Sequence, residues 1–507
     1  MLSGSEILMG IDVGTSALKC VIVNTTGRIL DYSLKEYSPA TPRFGWVEQD
    51  PDTWVNSAQL AIRDVLVKSQ FDPRLIAAIG VSGQMHSMVL LDRHLKALQP
   101  AILWLDRRST QQVETIKKRF GNPLLSKWIG NPVMPGTILT SLLWLRDTDP
   151  ITFSKIAYVL LPKDYVRLWL TGTIATDFSD ASSTALLDVG TRKWQLELLD
   201  FVGIGVQHLP PLTASTTVVG YLRPDVARIT GLTPGISVVC GAGDQESQAV
   251  GNGIVHSGLV SSTIGTGGQI FAPIENYQFD QNLRLNVYCH AVPGLWHWLA
   301  ATLTAGLSLR WLRDQILENT HSYASLADAA LTVEPGAEGL VFLPYLAGER
   351  TPHMDPYARG VFYGLTLRHT WRHMARAIIE GVIFSLFDGL ELIQETGSPI
   401  HQVIASGGGT KHPLWLQLQA DVFGMDITAT GTSEAAAFGA AIFAGVGIRL
   451  HPDIASACKQ MISRNTSIFT PDPETKERYN KLVPRYRDVY RNLKHRFQND
   501  SYLGEGV

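Results

Sequence analysis

The stretch Ile7–Gly27 reads ILMGIDVGTSALKCVIVNTTG. It places two apolar runs on either side of a Gly-Thr-Ser turn, and the segment NTTG then turns the chain again. Apolar runs joined by short turns rich in Gly, Asn and Ser are typical of neighbouring β-strands. We therefore predict a β-hairpin here, with its turn at residues 14–16.

Strands and helices alternate after this hairpin. The segment DPDTWVNSAQLAIRDVLVKS has apolar residues at helical spacing and begins with Asp50, a residue suited to cap a helix. The apolar runs IAAIGVS and SMVLLD follow and are interpreted as strands. This alternation predicts an α/β architecture.

A similar pattern returns 251 residues later, where IGTG at Ile264 corresponds to VGTS at Val13. The segment LVSSTIGTGGQIFAPI again joins two apolar runs through a Gly-Thr-Gly turn, and a strand and a helix follow it. We interpret this as a duplication that yields two α/β domains facing a central cleft, each offering one hairpin to it. The alternative is that Gly-Thr hairpins recur by chance.

The composition excludes several function classes. The chain has 507 residues, too many for one core, and its formal net charge of −3 gives no reason to expect nucleic acid or an anionic membrane as a partner. Its four cysteines show no metal-binding spacing and are expected to be thiols in a reducing compartment. The start of the sequence lacks a signal-peptide pattern, and the longest apolar run, residues 435–448, is too short to span a bilayer. We therefore expect a cytoplasmic protein, with this run as a tightly packed helix.

The first hairpin carries groups that suit a phosphate. In DVGTSALK, the backbone N–H groups of the turn and the hydroxyls of Thr15 and Ser16 are able to cradle phosphate oxygens, and Lys19 adds positive charge. Asp12 ends the strand and is able to orient the hydration shell of Mg²⁺, which takes few protein carboxylates. The alternative is a plain hairpin with a capping Asp.

A second acid, Asp244, follows the apolar run ISVVC in GAGDQESQAVGNG, on a turn with few side chains around it. These segments together resemble those of the FGGY carbohydrate kinases, a family within the actin-like ATPase superfamily. The resemblance runs from about Ile7 to Gly447 and also includes these segments: GQMHSMVLLD, AILWLDRRS, LLPKDYVRLWLTG, FLPYLAGERTPHMDPYARGVFYGLTLRH and SGGGTKHPLWLQLQADVFG.

The resemblance implies a fold of two duplicated actin-like, ribonuclease H-like ATPase domains. The first, residues 1–255, is expected to bind the sugar and to carry the first phosphate loop. The second, residues 256–450, is expected to bind the nucleotide. Residues 451–507 are expected to form a helical tail packed on the second domain.

The resemblance also implies roles for single residues. Asp244 falls at the position of the catalytic base, and a carboxylate on a glycine turn reaches both sugar and phosphate without crowding either. Asp12 is the second catalytic candidate, and Asp12 and Asp244 are the candidate Mg²⁺ ligands. The substrate-binding candidates are Gln84, Met85, His86, Asp244 and Gln245. The nucleotide-binding candidates are Gly14, Thr15, Ser16, Lys19, Gly265, Thr266, Gly267, Gly306, Arg310, Gly408, Gly409 and His412.

The segment GQMHS is most similar to the sugar segment of the xylulokinases within the family. The resemblance thus implies ATP and Mg²⁺ as cofactors and a ketopentose as substrate, with D-xylulose the best single candidate. D-ribulose and a polyol are the alternatives among enzymes, and a nucleotide-switched binding protein is the alternative from another class. A homodimer is expected because dimers are common in the family.

Several positions leave questions open. Ser141 stands where the family usually has Lys, Gln245 stands where xylulokinases often have Asn, and Ser87 replaces a Gly. These departures put the exact sugar in doubt. Asp106 and Arg108 are weaker sugar-site candidates, with a structural ion pair as the alternative.

Overall fold

The computed structural model describes residues 6–430 and 434–500. The strands of the first half are β1 (Ile7–Val13), β2 (Ala17–Asn24), β3 (Ile29–Glu36), β4 (Glu48–Gln49), β5 (Ile76–Gly83), β6 (Val89–Leu91), β7 (Ala101–Ile102), β8 (Tyr158–Leu160), β9 (Thr176–Asp177), β10 (Leu187–Asp188), β11 (Lys193–Trp194), β12 (Leu212–Thr213), β13 (Val218–Tyr221), β14 (Ser237–Val239) and β15 (Ala242–Gly243). Its α-helices are α1 (Pro51–Ser69), α2 (Thr110–Phe120), α3 (Asn122–Ile129), α4 (Ile138–Thr148), α5 (Pro150–Phe153), α6 (Pro162–Thr171), α7 (Phe178–Ser182), α8 (Leu196–Val202), α9 (Pro224–Thr230) and α10 (Asp244–Gly251).

The second half continues this alternation. Its strands are β16 (Gly258–Ile264), β17 (Gly268–Ile274), β18 (Asn286–Cys289), β19 (Trp296–Thr302), β20 (Val341–Leu343), β21 (Val361–Tyr363), β22 (Ile400–Gly407), β23 (Ile427–Thr430) and β24 (Arg464–Phe469). Its α-helices are α11 (Gly306–Trp311), α12 (Tyr323–Leu331), α13 (Trp371–Glu395), α14 (Pro413–Phe423), α15 (Ala435–Gly447), α16 (Ile454–Met461) and α17 (Pro473–Asp500).

The first sheet is built on the predicted hairpin. Its strand order is β13-β14-β5-β1-β2-β3, and β15 also pairs with β5. Strands β1, β2 and β3 are antiparallel neighbours, whereas β5 runs parallel to β1 and β14 runs parallel to β5. The predicted helix α1 begins after Asp50, whose side chain accepts a hydrogen bond from the N–H of Asp52. The hairpin and this helix cap are therefore confirmed.

The second sheet repeats the first. Its order is β18-β19-β17-β16-β22-β23-β24. Strands β16, β17 and β19 are antiparallel neighbours as β1, β2 and β3 are, and β22 and β23 run parallel to β16 as β5 and β14 do to β1. In both sheets an antiparallel strand flanks the last parallel one, β13 beside β14 and β24 beside β23. The predicted two-domain α/β fold is confirmed.

Helix α15 lies in the predicted range of the second domain but packs on the first sheet. A Cβ at Gly10 would lie 1.8 Å from the carbonyl oxygen of Ala437, and one at Gly80 would lie 1.9 Å from that of Ala440. Only glycine permits this approach of helix to strands, because any side chain would overlap the helix backbone. The apolar run was predicted to be a tightly packed helix, and this is confirmed.

The predicted tail divides between the two sheets. Helix α16 buries Met461 in the same core cluster as Leu8 of β1, on the first sheet. Helix α17 buries Tyr479 and Tyr486 in the core of the second sheet, and the Tyr486 hydroxyl lies 2.7 Å from that of Tyr345. Strand β24 extends the second sheet. The domain limits at residues 255 and 450 stay predictions.

The four cysteines, Cys20, Cys240, Cys289 and Cys458, are buried thiols, as predicted. Burial raises the pKa of the Cys20, Cys240 and Cys289 thiols, so these three stay protonated near neutral pH. Across residues 6–430 and 434–500, no helix has the length and apolar character needed to cross a membrane.

Candidate active site

The ends of three strands bring the predicted first-domain residues together. Asp12, near the end of β1, is paired in register with Ser82 of β5, and Ala242 of β15 is paired with the same serine on the other side. The chain leaves these parallel strands at one edge of the sheet. The turn at residues 14–16, the segment 84–86 and Asp244 therefore lie at this common edge, where ligands of open α/β sheets bind.

Asp244 lies on a helix and not on the predicted turn. It is the first residue of α10, directly after the two-residue strand β15. Its side chain is half-buried, and the amide of Gln245 donates a hydrogen bond to Oδ1 at 3.3 Å. Burial and the negative charge of Asp12 raise the pKa of Asp244 to about 7. A carboxyl group with this pKa exchanges protons readily near neutral pH, as a general base must.

Asp12 is the more buried of the two acids. The hydroxyl of Ser82 donates to Asp12 Oδ1 at 2.8 Å, which restricts the orientation of the carboxylate. Burial raises the pKa of Asp12 above its ordinary value, although this hydrogen bond and the charge of Lys19 oppose the change. Because Asp12 is buried and its negative charge raises the pKa of Asp244, a cation beside the two acids would favour their ionised forms.

The predicted Mg²⁺ site has a fitting donor set. The described residues contain no group of three or more His, Cys, Asp or Glu side chains arranged to hold a metal ion. Mg²⁺ takes oxygen ligands, keeps several waters and is usually held by one or two carboxylates together with substrate phosphates. Asp12 and Asp244, whose charges act on each other, supply that number of carboxylates.

The side chains of the first phosphate loop are already hydrogen-bonded. Thr15 Oγ1 donates to Gln84 Oε1 at 3.1 Å and accepts from Trp104 Nε1 at 3.0 Å. Lys19 Nζ lies 2.7 Å from Glu434 Oε2, in the residue before helix α15. Ser16 is exposed. The Gly14 N–H donates to the Ala17 carbonyl oxygen at 3.0 Å, and the Gly14 carbonyl oxygen accepts from the Tyr37 hydroxyl at 2.6 Å. The hydroxyl of Ser16 therefore remains as the loop's side-chain group for a phosphate, and Lys19 reaches one only by leaving Glu434.

The side chains of Gln84 and Met85 are buried and support the chain around the predicted sugar site. Gln84 is 1% exposed, and its amide nitrogen lies 3.4 Å from the carbonyl oxygen of Gly14. It therefore joins the sugar segment to the phosphate loop instead of facing solvent. Met85 is also buried, in a cluster with Tyr288 and other apolar residues of the second half. A Cβ at Gly243 would lie 2.9 Å from Met85 Cγ, so this methionine supports the chain that leads into Asp244.

His86 has the features of a hydrogen-bonding site residue. Its backbone is left-handed, with φ 68°, and its N–H donates to Ser183 Oγ at 3.0 Å. Its Nδ1 donates to the carbonyl oxygen of Ser183 at 2.7 Å, which leaves Nε2 as an acceptor. Burial, together with a smaller effect of the Arg350 charge, lowers the pKa of His86 to about 4. The imidazole is therefore neutral near pH 7 and able to accept a hydrogen bond from a hydroxyl.

Asp106 and Arg108 form a structural ion pair. Arg108 Nε lies 2.9 Å from both carboxylate oxygens of Asp106, and Nη2 lies 2.8 Å from Glu48. The guanidinium lies over the ring of Trp46 at 3.7 Å and over that of Trp144 at 5.1 Å. All faces of the pair are occupied by protein, which favours the structural alternative.

A cavity of about 450 Å³ lies in the second half. Most of the predicted nucleotide-binding residues of that half line it, namely Gly265, Thr266, Gly306, Arg310, Gly408, Gly409 and His412. Gly267 is not among its lining residues, and its carbonyl oxygen instead accepts from the N–H of Gly265 at 2.9 Å. The second hairpin is fixed to helix α11, since the Gly306 N–H donates to the Gly265 carbonyl oxygen at 2.9 Å.

Two of the predicted nucleotide-binding residues, His412 and Arg310, also form hydrogen bonds within the protein. His412 Nδ1 accepts from the N–H of Leu414, which caps helix α14, and its Nε2 lies 3.2 Å from Asp328. Arg310 Nε donates to the Tyr323 hydroxyl at 3.2 Å. Tyr323, together with Trp415, gives this cavity an aromatic lining that the sequence prediction missed.

The departures from the family pattern lie in different places. Gln245 contacts the proposed base directly. Ser141 is 1% exposed on α4, in a helix whose apolar residues pack in a separate core of the first half, and its hydroxyl has no partner among the described residues. Of these two departures, only Gln245 contacts a predicted reacting group, and the third, Ser87, donates to Gln84 Oε1 at 3.3 Å within the sugar segment.

Comparisons with known proteins agree with this arrangement. The profile of the FGGY family of carbohydrate kinases, N-terminal domain, matches residues 7–251, and the profile of its C-terminal domain matches residues 260–448. The xylulose kinase of Bacillus subtilis (strain 168) is 36% identical over 489 residues, which cover 96% of this chain and 97% of that protein. The gluconokinase of the same strain is 30% identical over 506 residues, which cover 97% of each.

A solved structure gives the same fold. The ligand-bound xylulose kinase from Lactobacillus acidophilus superposes with a TM-score of 0.92 at 29% identity, covering 98% of this chain and 100% of that one.

Proposed function

The chain belongs to the FGGY family of carbohydrate kinases, and we propose that it transfers the γ-phosphoryl group of ATP to D-xylulose, forming D-xylulose 5-phosphate. The observation that carries this proposal is the position of Asp244, whose pKa is about 7, directly after β15, which pairs with the end of β5 that leads into the sugar segment. The similarity to xylulose kinases supports the choice of sugar.

Asp244 is the proposed base. It accepts the proton of the C5 hydroxyl as that oxygen forms a bond to the γ-phosphorus and the bond from phosphorus to the ADP oxygen breaks. Gln245 holds the carboxylate through its amide hydrogen bond. The proton then passes to solvent, because a carboxyl group of pKa about 7 releases it readily near neutral pH.

The nucleotide is proposed to lie in the cavity of the second half, with its phosphates extending toward the hairpin turns of both halves. Thr266 and the hydroxyl of Ser16 are proposed to face these phosphates from the two sides. Asp12 and Asp244 are proposed to hold Mg²⁺, which neutralises charge on the phosphates when it is bound. Closure of the two domains around the ligands excludes water, a competing acceptor of the phosphoryl group.

A panel of substrates tests the proposal. Release of ADP is measured with D-xylulose, D-ribulose, a pentitol, glycerol and D-gluconate, each against a blank without sugar. We expect D-xylulose to give the highest kcat/KM. A higher value for D-ribulose, a polyol or gluconate would retain the kinase assignment and overturn the choice of sugar.

A nucleotide-switched binding protein is the remaining alternative from another class. Such a protein would hydrolyse ATP at a rate that no sugar in the panel changes. The sugar segment and a base at the same sheet edge favour the kinase. A cytoplasmic location and a homodimer, which gel filtration with light scattering would detect, are further proposals.

A further inference from the structure

Arg350 is a half-buried cation that the sequence prediction did not single out. It lies after β20, in the segment GERTPHMDP of the second half. Among residues 6–430 and 434–500, no carboxylate lies within 4.0 Å of its guanidinium, and its side chain has no hydrogen bond there. By contrast, the buried Arg167 pairs with Asp164, and the buried Arg376 pairs with Glu380.

The burial of this charge is costly. Burial lowers the pKa of the Arg350 guanidinium, although the neighbouring groups of Tyr288 and Glu349 oppose the change. A half-buried charge that has lost part of its hydration without gaining a hydrogen-bonded partner is unfavourable, and such groups are normally paired. The donors of Arg350 are therefore available to a ligand.

The surroundings of Arg350 belong to the sugar side of the site. Its guanidinium carbon lies 5.9 Å from the ring of Trp104, whose indole N–H donates to Thr15 of the first phosphate loop. Its charge acts on His86 and on Tyr288, whose rings are 6.0 Å apart. Arg350 comes from the second half of the chain, whereas Trp104 and His86 come from the first.

The backbone at Arg350 is held in place by Glu349. Glu349 Oε1 accepts from the N–H of Arg350 at 2.7 Å and from that of Leu303 at 3.1 Å. Glu349 Oε2 accepts from Thr302 Oγ1 at 2.5 Å. Residues 302–303 lead into α11, which borders the nucleotide cavity through Gly306. Glu349 thus connects the chain beside the nucleotide with the chain that presents Arg350 to the sugar side.

We propose that the guanidinium of Arg350 is a substrate-binding group that the second domain contributes to the sugar site. It donates hydrogen bonds to acceptor oxygens of the bound sugar, while His86 Nε2 accepts from a sugar hydroxyl. The two groups are complementary because arginine only donates and this histidine nitrogen only accepts. A sugar bound between them links the two domains, so sugar binding favours their closure. This inference rests on the proposed function.

The test compares Arg350→Met with Arg350→Lys and with the control Arg372→Met. Arg372 is exposed and lies over Trp371, as Arg350 lies over Trp104, but it is at the start of α13. Sugar and ATP steady-state constants, thermal stability and calorimetric sugar binding without nucleotide are measured for each. The wild type is assayed first with the panel, and its best sugar is used for the variants.

We expect Arg350→Met to raise the sugar KM and the calorimetric Kd by roughly 10- to 150-fold, the range for hydrogen bonds to a charged group. Arg350→Lys should lie between this variant and the wild type, since lysine keeps the charge but not the planar array of donors. The ATP KM and the Arg372→Met constants should change less than twofold.

A sugar KM within twofold of wild type in Arg350→Met would overturn the inference. A rise in the ATP KM as large as the rise in the sugar KM would also overturn it, and so would a loss of thermal stability in both Arg350→Met and Arg350→Lys. Failure of the proposed function would show separately, as no sugar-dependent ADP release by the wild type. An active wild type with an unchanged variant would overturn the inference alone.

Discussion

At the scale of single residues, the site depends on two acids in unequal surroundings. Asp12 is almost fully buried and bonded to Ser82, whereas Asp244 is half-buried at a helix start. The charge of Asp12 helps to raise the pKa of Asp244 to about 7. The buried acid is therefore suited to hold a cation, and the accessible acid to accept a proton.

Asp244→Asn should lower kcat by roughly 10²- to 10⁴-fold, because the amide cannot accept a proton and this range is typical for general base catalysis. The substitution keeps the size of the side chain, so calorimetric sugar binding should stay near wild type. Near-normal turnover in the variant would remove Asp244 from this role.

The pH dependence follows from the raised pKa. Asp244 must be ionised to act, so kcat/KM for the sugar should fall as the pH is lowered through about 7. A nearby cation favours the ionised form, so raising the Mg²⁺ concentration should move this fall to lower pH. Rate profiles at two Mg²⁺ concentrations check both points. Identical profiles in Asp244→Asn and wild type would contradict the assignment.

Asp12→Asn should weaken the use of Mg²⁺ more than the binding of sugar. The Mg²⁺ concentration for half-maximal rate should rise, because one carboxylate of the pair is lost, while the sugar Kd measured without Mg²⁺ should change little. A variant in which only the sugar KM rises would instead place Asp12 on the sugar side.

At the scale of elements, the secondary structure of each segment could be predicted from sequence more reliably than its packing partner. The periodicity of α1, its Asp50 cap and both Gly-Thr hairpins were correctly predicted, because these depend on local residues. Helix α15 is apolar on all sides, which predicts burial but not the partner. The contact with the first sheet depends on Gly10 and Gly80, far away in sequence.

The close packing of α15 makes a matched pair of substitutions informative. A Cβ at Gly439 would lie 1.9 Å from the backbone oxygen of Ser247, whereas one at Gly445 would meet first the flexible end of Leu8 at 2.8 Å. Gly439→Ala should lower the free energy of unfolding by roughly 1–3 kcal/mol, the usual cost of overpacking. Gly445→Ala should cost less, because alanine gains about 1 kcal/mol in helix propensity over glycine. Urea denaturation measures both, and equal losses would refute this view of the packing.

The roles of Gln84 and Arg350 could not be predicted from sequence, because they too depend on contacts with distant residues. Gln84 stands in a sugar-segment motif, yet its side chain is taken up by Thr15 and Gly14. Arg350 is one arginine among many until the fold places it where its charge acts on His86. In both cases the role depends on residues more than sixty positions away, which no local pattern reports.

At the scale of the whole molecule, duplication explains why the site is divided. Each sheet ends in a hairpin turn, one beside the two acids and one beside the nucleotide cavity. We propose that the sugar side is completed by Arg350 from the second half, whose guanidinium carbon lies 5.9 Å from the ring of Trp104. Sugar and nucleotide therefore occupy neighbouring positions only when both domains contribute, as in-line transfer to a hydroxyl requires.

The central claim is phosphorylation of D-xylulose by ATP, and identification of the product tests it most directly. Wild-type protein is incubated with D-xylulose, ATP and Mg²⁺, with Asp244→Asn as the control, and the mixture is followed by ³¹P NMR. We expect a new phosphomonoester on C5 of the sugar that forms in step with ADP and is nearly absent in the control. Release of inorganic phosphate with ADP, without any phosphorylated D-xylulose, would contradict the claim.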